Sequence, residues 1–211
     1  MNGTMPSLDL VEFVEQQILP RYQEFDRAHS TQHAQKVIHN SLLLASKLGA
    51  DLNMAYVIAA YHDLGLSGPR AKHHITGARI LLNDQRLRRW FSEEQLRIMS
   101  QAVEDHRASA SRSPRSLYGR IVAEADRDLA AESVIERTVI FGLDHYPQLS
   151  REEQWERFCE HLNQKYSSHG YIRLWVAGSE NEENLKQLRL LMEQPVELKQ
   201  AFDEAYGRLT K

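Results

Sequence analysis

Several things are scarce in this chain of 211 residues, and each scarcity removes a class of explanation. There is one cysteine, Cys159, which excludes an intramolecular disulfide and a cysteine-rich zinc site. Any metal must therefore be held by histidine and carboxylate. No apolar run approaches the length of a membrane span, and the opening residues Met1-Asn2-Gly3-Thr4 lack a basic stretch and a long apolar one. A soluble, cytoplasmic protein is the expectation. Neither sign of charge dominates: 26 basic residues stand against 29 acidic ones, a formal net charge of -3, so no bulk attraction to nucleic acid or membrane is expected. Internal repeats, low-complexity tracts and convincing strand pairs are also missing.

What is there is helix. Leu8 to Phe25 carries apolar positions at helical spacing until Pro20 kinks or breaks it. Ser30 is a plausible N-cap for a second helix that Gly49 closes, and Asp51 caps a third. Ser67-Gly68-Pro69 breaks the chain. A fourth helix is expected over about 73–82, and Ser92 with Gln95 reads as a capping box opening a fifth that ends near His106. The stretch 108–115 is small, polar and basic, the most loop-like in the chain. Ser116 then opens a helix containing Ile121, Val122, Ala125 and Asp126, and helices follow at roughly 132–143 and 151–166. Ser179 with Glu182 reads as a second capping box, and Pro195 suits the first turn of a last helix. The expected fold class is all-α, with a helical core over 1–145 and a helical C-terminal extension over 146–211 packed on it.

The chemistry is concentrated at Ala59-Ala60-Tyr61-His62-Asp63-Leu64-Gly65. The apolar run 56–61 ends in two potential metal ligands, with Gly65 read as the stop of the helix. An imidazole and a carboxylate at the end of a buried helix need a partner, and a divalent cation accepts both. Ten histidines make the presence of histidine uninformative, so placement decides. His33, His62, Asp63 and Asp126 each sit beside core-type residues on three separate helices, as a metal site in a helix bundle requires. Two imidazoles and two carboxylates suit Mn, Fe, Co, Ni or Zn, with Mg still open.

The order His33…His62-Asp63…Asp126 resembles the signature of the HD superfamily of metal-dependent phosphohydrolases. The flanking words agree: His29-Ser30-Thr31-Gln32-His33, Ala60-Tyr61-His62-Asp63-Leu64-Gly65 and Ile121-Val122-Ala123-Glu124-Ala125-Asp126-Arg127. The resemblance spans about residues 25–130. It implies a core of about five helices and a site where the four residues bind one metal. HD proteins with two metals are similar in placing extra histidines where His74 and His106 stand, with the aspartate of the pair bridging. By that analogy Asp63 bridges, and His74 and His106 hold a second ion. Otherwise these two histidines surround a single metal or touch phosphate, and His73 competes with His74.

The implied reaction is hydrolysis of a small phosphate ester or anhydride, with nucleotides the expected substrate class and Asp63 orienting or deprotonating the water. A phosphate substrate needs cations, and Arg70, Lys72, Arg107, Arg112, Arg115 and Arg120 lie near the ligands in sequence. Arg70, Lys72, Arg107 and His29 are the first choices for substrate binding. Two rival functions remain open: a di-iron oxygenase of HD type, and a nucleotide-binding sensor without catalysis. In the C-terminal part, Tyr171, Leu174 and Trp175 are expected to pack the extension to the core. A lid made by Lys165 and Tyr171 is the functional alternative. Leu185, Leu188, Leu191 and Met192 form an apolar face for either an intrachain core or a homodimer contact.

Overall fold

Side-chain caps fix where the helices begin. Ser30 accepts from the His33 N–H, Asp51 from the N–H groups of Asn53 and Met54, and Ser116 from that of Gly119. Ser92 with Gln95 makes a complete capping box. Each cap satisfies amide donors that the first turn of a helix leaves without partners. The computed structural model describes residues 5–25, 29–107 and 112–210. The described residues contain ten α-helices and no strand.

The helices are α1 (Leu8–Gln17), α2 (Thr31–Lys47), α3 (Leu52–Tyr61), α4 (His73–Asn83) and α5 (Glu93–Asp105). They continue with α6 (Leu117–Ala125), α7 (Ala131–His145), α8 (Arg151–Tyr166), α9 (Glu180–Met192) and α10 (Pro195–Leu209). Short 3₁₀ turns follow α1 at Leu19–Glu24 and link α3 to α4 at Leu64–Ser67 and Arg70–Lys72. Pro20 lies in the first of them and ends α1, as the ring demands. Part of the expected loop over 108–115, residues 108–111, lies outside the described residues.

The chain divides into two units, Met1–Arg127 and Asp128–Lys211. The first is organised around α3, buried on every side from Met54 to Tyr61 and packed against α2, α5 and α6. A helix that is apolar all round belongs in a core, and fully burying a side chain such as Val57 or Ile58 contributes about 1.5–3 kcal/mol. The sequence expectation drew a boundary at 145; the structure draws it after Arg127, so α7 belongs to the second unit. The reason is its buried face: Val134, Ile135 and Val139 share a core with Phe158, Leu162, Leu188 and Phe202. That core also claims Leu185, Leu191 and Met192, so the apolar face of α9 is intrachain. Leu174 packs there too, while Tyr171 stays exposed.

Two local readings need correction. Ser179 stands at the N-cap of α9, but its side chain makes no cap bond to the helix. Glu182 accepts instead from the Gly178 N–H at 2.6 Å. Gly49 does take the left-handed conformation that stops α2, at φ 66°; Gly65 does not, because positive φ occurs elsewhere only at Gly178 among the described residues. Gly65 serves close approach. A Cβ there would collide with the His73 carbonyl and the Gly77 nitrogen, and a Cβ on Gly77 would sit 3.1 Å from the His62 carbonyl oxygen. Backbone meets backbone, which brings the start of α4 directly against the end of α3.

Candidate metal centre

Four helix ends supply most of the chemistry. His62 is the C-cap of α3, His73 of the Arg70–Lys72 turn, His106 of α5 and Asp126 of α6. The last carbonyls of a helix lack intrahelical donors and carry the negative end of its dipole, so converging C-termini favour positive charge. The same free carbonyls orient the rings. His62 Nδ1 donates to Ala59 O at 2.7 Å, His73 Nδ1 to Arg70 O at 2.7 Å, and His106 Nδ1 to Val103 O at 2.6 Å. A carbonyl only accepts, so each Nδ1 carries the proton and each Nε2, in the neutral ring, turns a lone pair toward the others.

Those Nε2 atoms converge on Asp63. On one side His33 and His62 stand 3.3 Å apart, with Asp63 Oδ2 3.6 Å and 3.2 Å from them. Asp126 Oδ1 joins this half, 3.1 Å from His33 and 3.6 Å from His62. On the other side His73 and His106 stand 3.2 Å apart, and Asp63 Oδ1 faces them at 3.7 Å and 3.5 Å. One carboxylate thus turns one oxygen to each half. The groups His33–His62–Asp63 and Asp63–His73–His106 are each close enough to hold a metal ion.

The donor set fits a divalent cation. His73 and His106 both keep their protons on Nδ1, so neutral rings would press two lone pairs together at 3.2 Å with nothing between. A cation removes that conflict, and ligands about 2.0–2.1 Å from an ion lie at about this spacing from each other. The electrostatics agree. Burial pulls the His62 imidazole down, but Asp63 beside it and Asp126 outweigh burial and carry it up to about 9. Burial raises the Asp63 carboxyl, yet His62 and His106 hold it far below the usual carboxylate range. Asp126 is raised by burial and lowered more strongly by the hydrogen bond from His33 and the charge of His62, ending at about 2. Two carboxylates kept anionic among four imidazoles make a site that attracts positive charge.

Of the residues expected from sequence, His33, His62, Asp63, Asp126 and His106 come together. His74 does not; His73 takes the place expected for it. The next residue on a helix points about 100° away. His74 accordingly turns aside, its ring 5.5 Å from that of His73, and its buried Nδ1 has no hydrogen-bond partner.

Among the basic candidates, Arg70 Nη2 meets His29 Nε2 at 3.4 Å, and the His29 ring lies 6.1 Å from that of His33. Lys72 is exposed on the same turn, and Arg107 donates to Ala71 O at 3.1 Å. Arg112 and Arg115 are committed elsewhere: Arg115 clamps the buried Asp105 and reaches Glu104 at 2.7 Å, and Arg112 pairs with the same two acids. That clamp fastens the residue before His106.

Two further residues were not anticipated. Asn40, on the same face of α2 as His33, donates to the Ala125 carbonyl at 3.3 Å, next to Asp126. Its spacing of two helical turns from His33 was a usable signal. Tyr22, fully buried, sends its hydroxyl to the Ala60 carbonyl at 3.0 Å and lies 3.4 Å from the Asp63 amide nitrogen. Nothing near it in sequence announces that contact.

Residues 31–131, a little under half of the chain, match the HD domain family model. That family is one of divalent-metal binders. No curated protein matches the chain. A solved structure described as a predicted HD superfamily hydrolase from an uncultured Thermotogales bacterium is similar at 21% identity, with a TM-score of 0.48. The match covers 74% of this chain and 85% of that one. No helix among the described residues is long and apolar enough to cross a membrane.

Proposed function

We propose that the chain is a metal-dependent phosphohydrolase that hydrolyses a small phosphate ester or anhydride, with nucleotides as the substrate class. The observation that carries this reading is the division of Asp63, with Oδ2 toward His33 and His62 and Oδ1 toward His73 and His106. It supports two ions, one held by His33, His62, Asp63 and Asp126, the other by Asp63, His73 and His106. Divalent ions bound there supply Lewis acidity, lowering the pKa of water toward about 7 and neutralising charge on phosphoryl oxygens.

The side chains have their own tasks. Asp63 keeps the two halves in register and, held anionic, accepts a hydrogen bond that orients the attacking water. His29, Arg70, Lys72 and Arg107 bind phosphate oxygens at the approach, where guanidinium groups grip two oxygens at once. The balanced overall charge favours a small substrate over nucleic acid.

The test is elemental analysis of protein purified without added metal, for the wild type and Asp63→Ala, followed by a screen of phosphate esters and nucleotides with the metal found. About two transition-metal ions per chain, absent from the variant, together with hydrolysis, are expected. Two irons with no phosphatase activity would favour oxygen chemistry instead. No metal in either protein, even after adding Mn or Ni, would sink the reading.

A further inference from the structure

Tyr22 is placed to solve a problem that the orientation of His62 creates. His62 Nδ1 occupies the Ala59 carbonyl at 2.7 Å. That carbonyl is the one a continuing helix would offer to the Asp63 N–H. The Asp63 amide is buried with its residue, which is 4% exposed, and a buried N–H without an acceptor is costly. The Ala60 carbonyl, also at the helix end and wholly buried, needs a donor for the same reason. The Tyr22 hydroxyl meets both demands, donating to Ala60 O at 3.0 Å and accepting from Asp63 N at 3.4 Å. A hydroxyl, one donor with two acceptor lone pairs, is suited to such a double role.

We infer that Tyr22 is a positioning residue for the metal centre, acting through the backbone: it leaves the Ala59 carbonyl to His62, so that His62 Nε2 faces Asp63 and His33. The inference rests on the metal-binding reading above. Tyr22 touches neither substrate nor ion in this role. It comes from the 3₁₀ turn that contains Pro20, far from α3 in sequence, and it is 1% exposed. Without the hydroxyl, the Asp63 N–H turns to the nearest free acceptor, Ala59 O, in competition with the imidazole. His62 then loses its fixed tautomer, and the half-site of His33, His62, Asp63 and Asp126 loosens while His73 and His106 keep their own carbonyls.

The chain contains its own control. Tyr61 is equally buried, and its hydroxyl donates to Asp84 Oδ2 at 2.8 Å, away from the cluster. Tyr22→Phe and Tyr61→Phe therefore delete the same atom from similar surroundings. Mn titrations of the metal-free wild type and both variants, by calorimetry, are compared with their thermal melts without metal. Both variants are expected to melt earlier than the wild type. Only Tyr22→Phe should bind the tighter ion about 10-fold or more weakly, the range typical of partners that orient metal-bound histidines. Equal Mn affinity in Tyr22→Phe and wild type would overturn the inference, as would the same loss in Tyr61→Phe.

If Tyr22→Phe binds too poorly to titrate, the imidazole ¹⁵N resonances of the metal-free proteins decide, recorded at a pH high enough for the His62 ring to be neutral. A proton fixed on His62 Nδ1 in wild type and Tyr61→Phe, and shared between nitrogens in Tyr22→Phe, supports it; an unchanged tautomer overturns it. A wild type that binds no Mn at all would overturn the metal reading, a failure visible before either variant is examined.

Discussion

The two halves of the centre share Asp63 but are built differently. The first, His33, His62 and Asp126, draws on α2 and on the C-terminal ends of α3 and α6, and His62 has no exposure at all. Among the described residues the second has only His73 and His106 besides Asp63, and His73 sits at the junction of an exposed turn with α4. Each half pairs one buried imidazole, His62 or His106, with a partly exposed one, His33 or His73, and the second relies on the Arg70–Lys72 turn to present His73. The contrast teaches that the halves differ in donor count rather than in burial: among the described residues the first has a carboxylate of its own in Asp126, and the second relies on the shared Asp63 alone.

Asp63→Ala should break the comparison altogether by removing the shared ligand. Both ions should be lost in elemental analysis, and turnover should fall about 10³-fold or more, as the loss of several kcal/mol of charge stabilisation implies. His73→Ala should separate the halves. It should retain one ion per chain and lose the other, with turnover down about 10²-fold, whereas His74→Ala should keep both ions; two ions in His73→Ala would return the second half to His74.

Gly65→Ala tests the backbone contact that joins the halves. Its Cβ has no room, so about 1–3 kcal/mol of stability should be lost, a drop of several degrees in melting temperature for a chain of this size. The second ion should weaken more than the first, and a melt identical to wild type would disprove the contact.

A smaller effect should appear with pH in the metal-free protein. The folded His62 sits at about 9, above its ordinary value of 6.5. Its contribution to stability is therefore complete below 6.5 and drains away as pH rises through about 9. The melting temperature of the metal-free chain should fall across that window, and His62→Gln should flatten the fall. Metal affinity should run the other way, rising with pH as the proton leaves.

Much of this was legible in sequence, for identifiable reasons. Caps at Ser30, Asp51, Ser92 and Ser116 are local chemistry, so the helix starts could be read directly. His33, His62, Asp63 and Asp126 could be found because each adjoins apolar residues at helical spacing. The choice between His73 and His74 could not be made, since it depends on which of two neighbours faces α5, and the Gly65–Gly77 contact sets that. Gly65 was misread for a related reason: a glycine that ends a helix and one that admits a neighbouring backbone look alike in one dimension. Tyr22 was illegible because its partners are backbone atoms about forty residues away, and backbone atoms carry no sequence.

The habit by which three histidines bond the carbonyl three residues behind them has a consequence for the order of assembly. Each ring is aimed by its own helix end; for His73 and His106 that orientation exists as soon as the end forms, while His62 also waits for Tyr22 to dock. What remains for long-range folding is to bring ready-aimed rings together, and loop closure over such separations grows only slowly with length. An unfolded chain presents those rings singly and at random, with little to hold an ion; the assembled helix ends hold it together. Metal concentration should therefore act as a lever on the folding equilibrium of the first unit, raising its melting point in proportion to the logarithm of free ion.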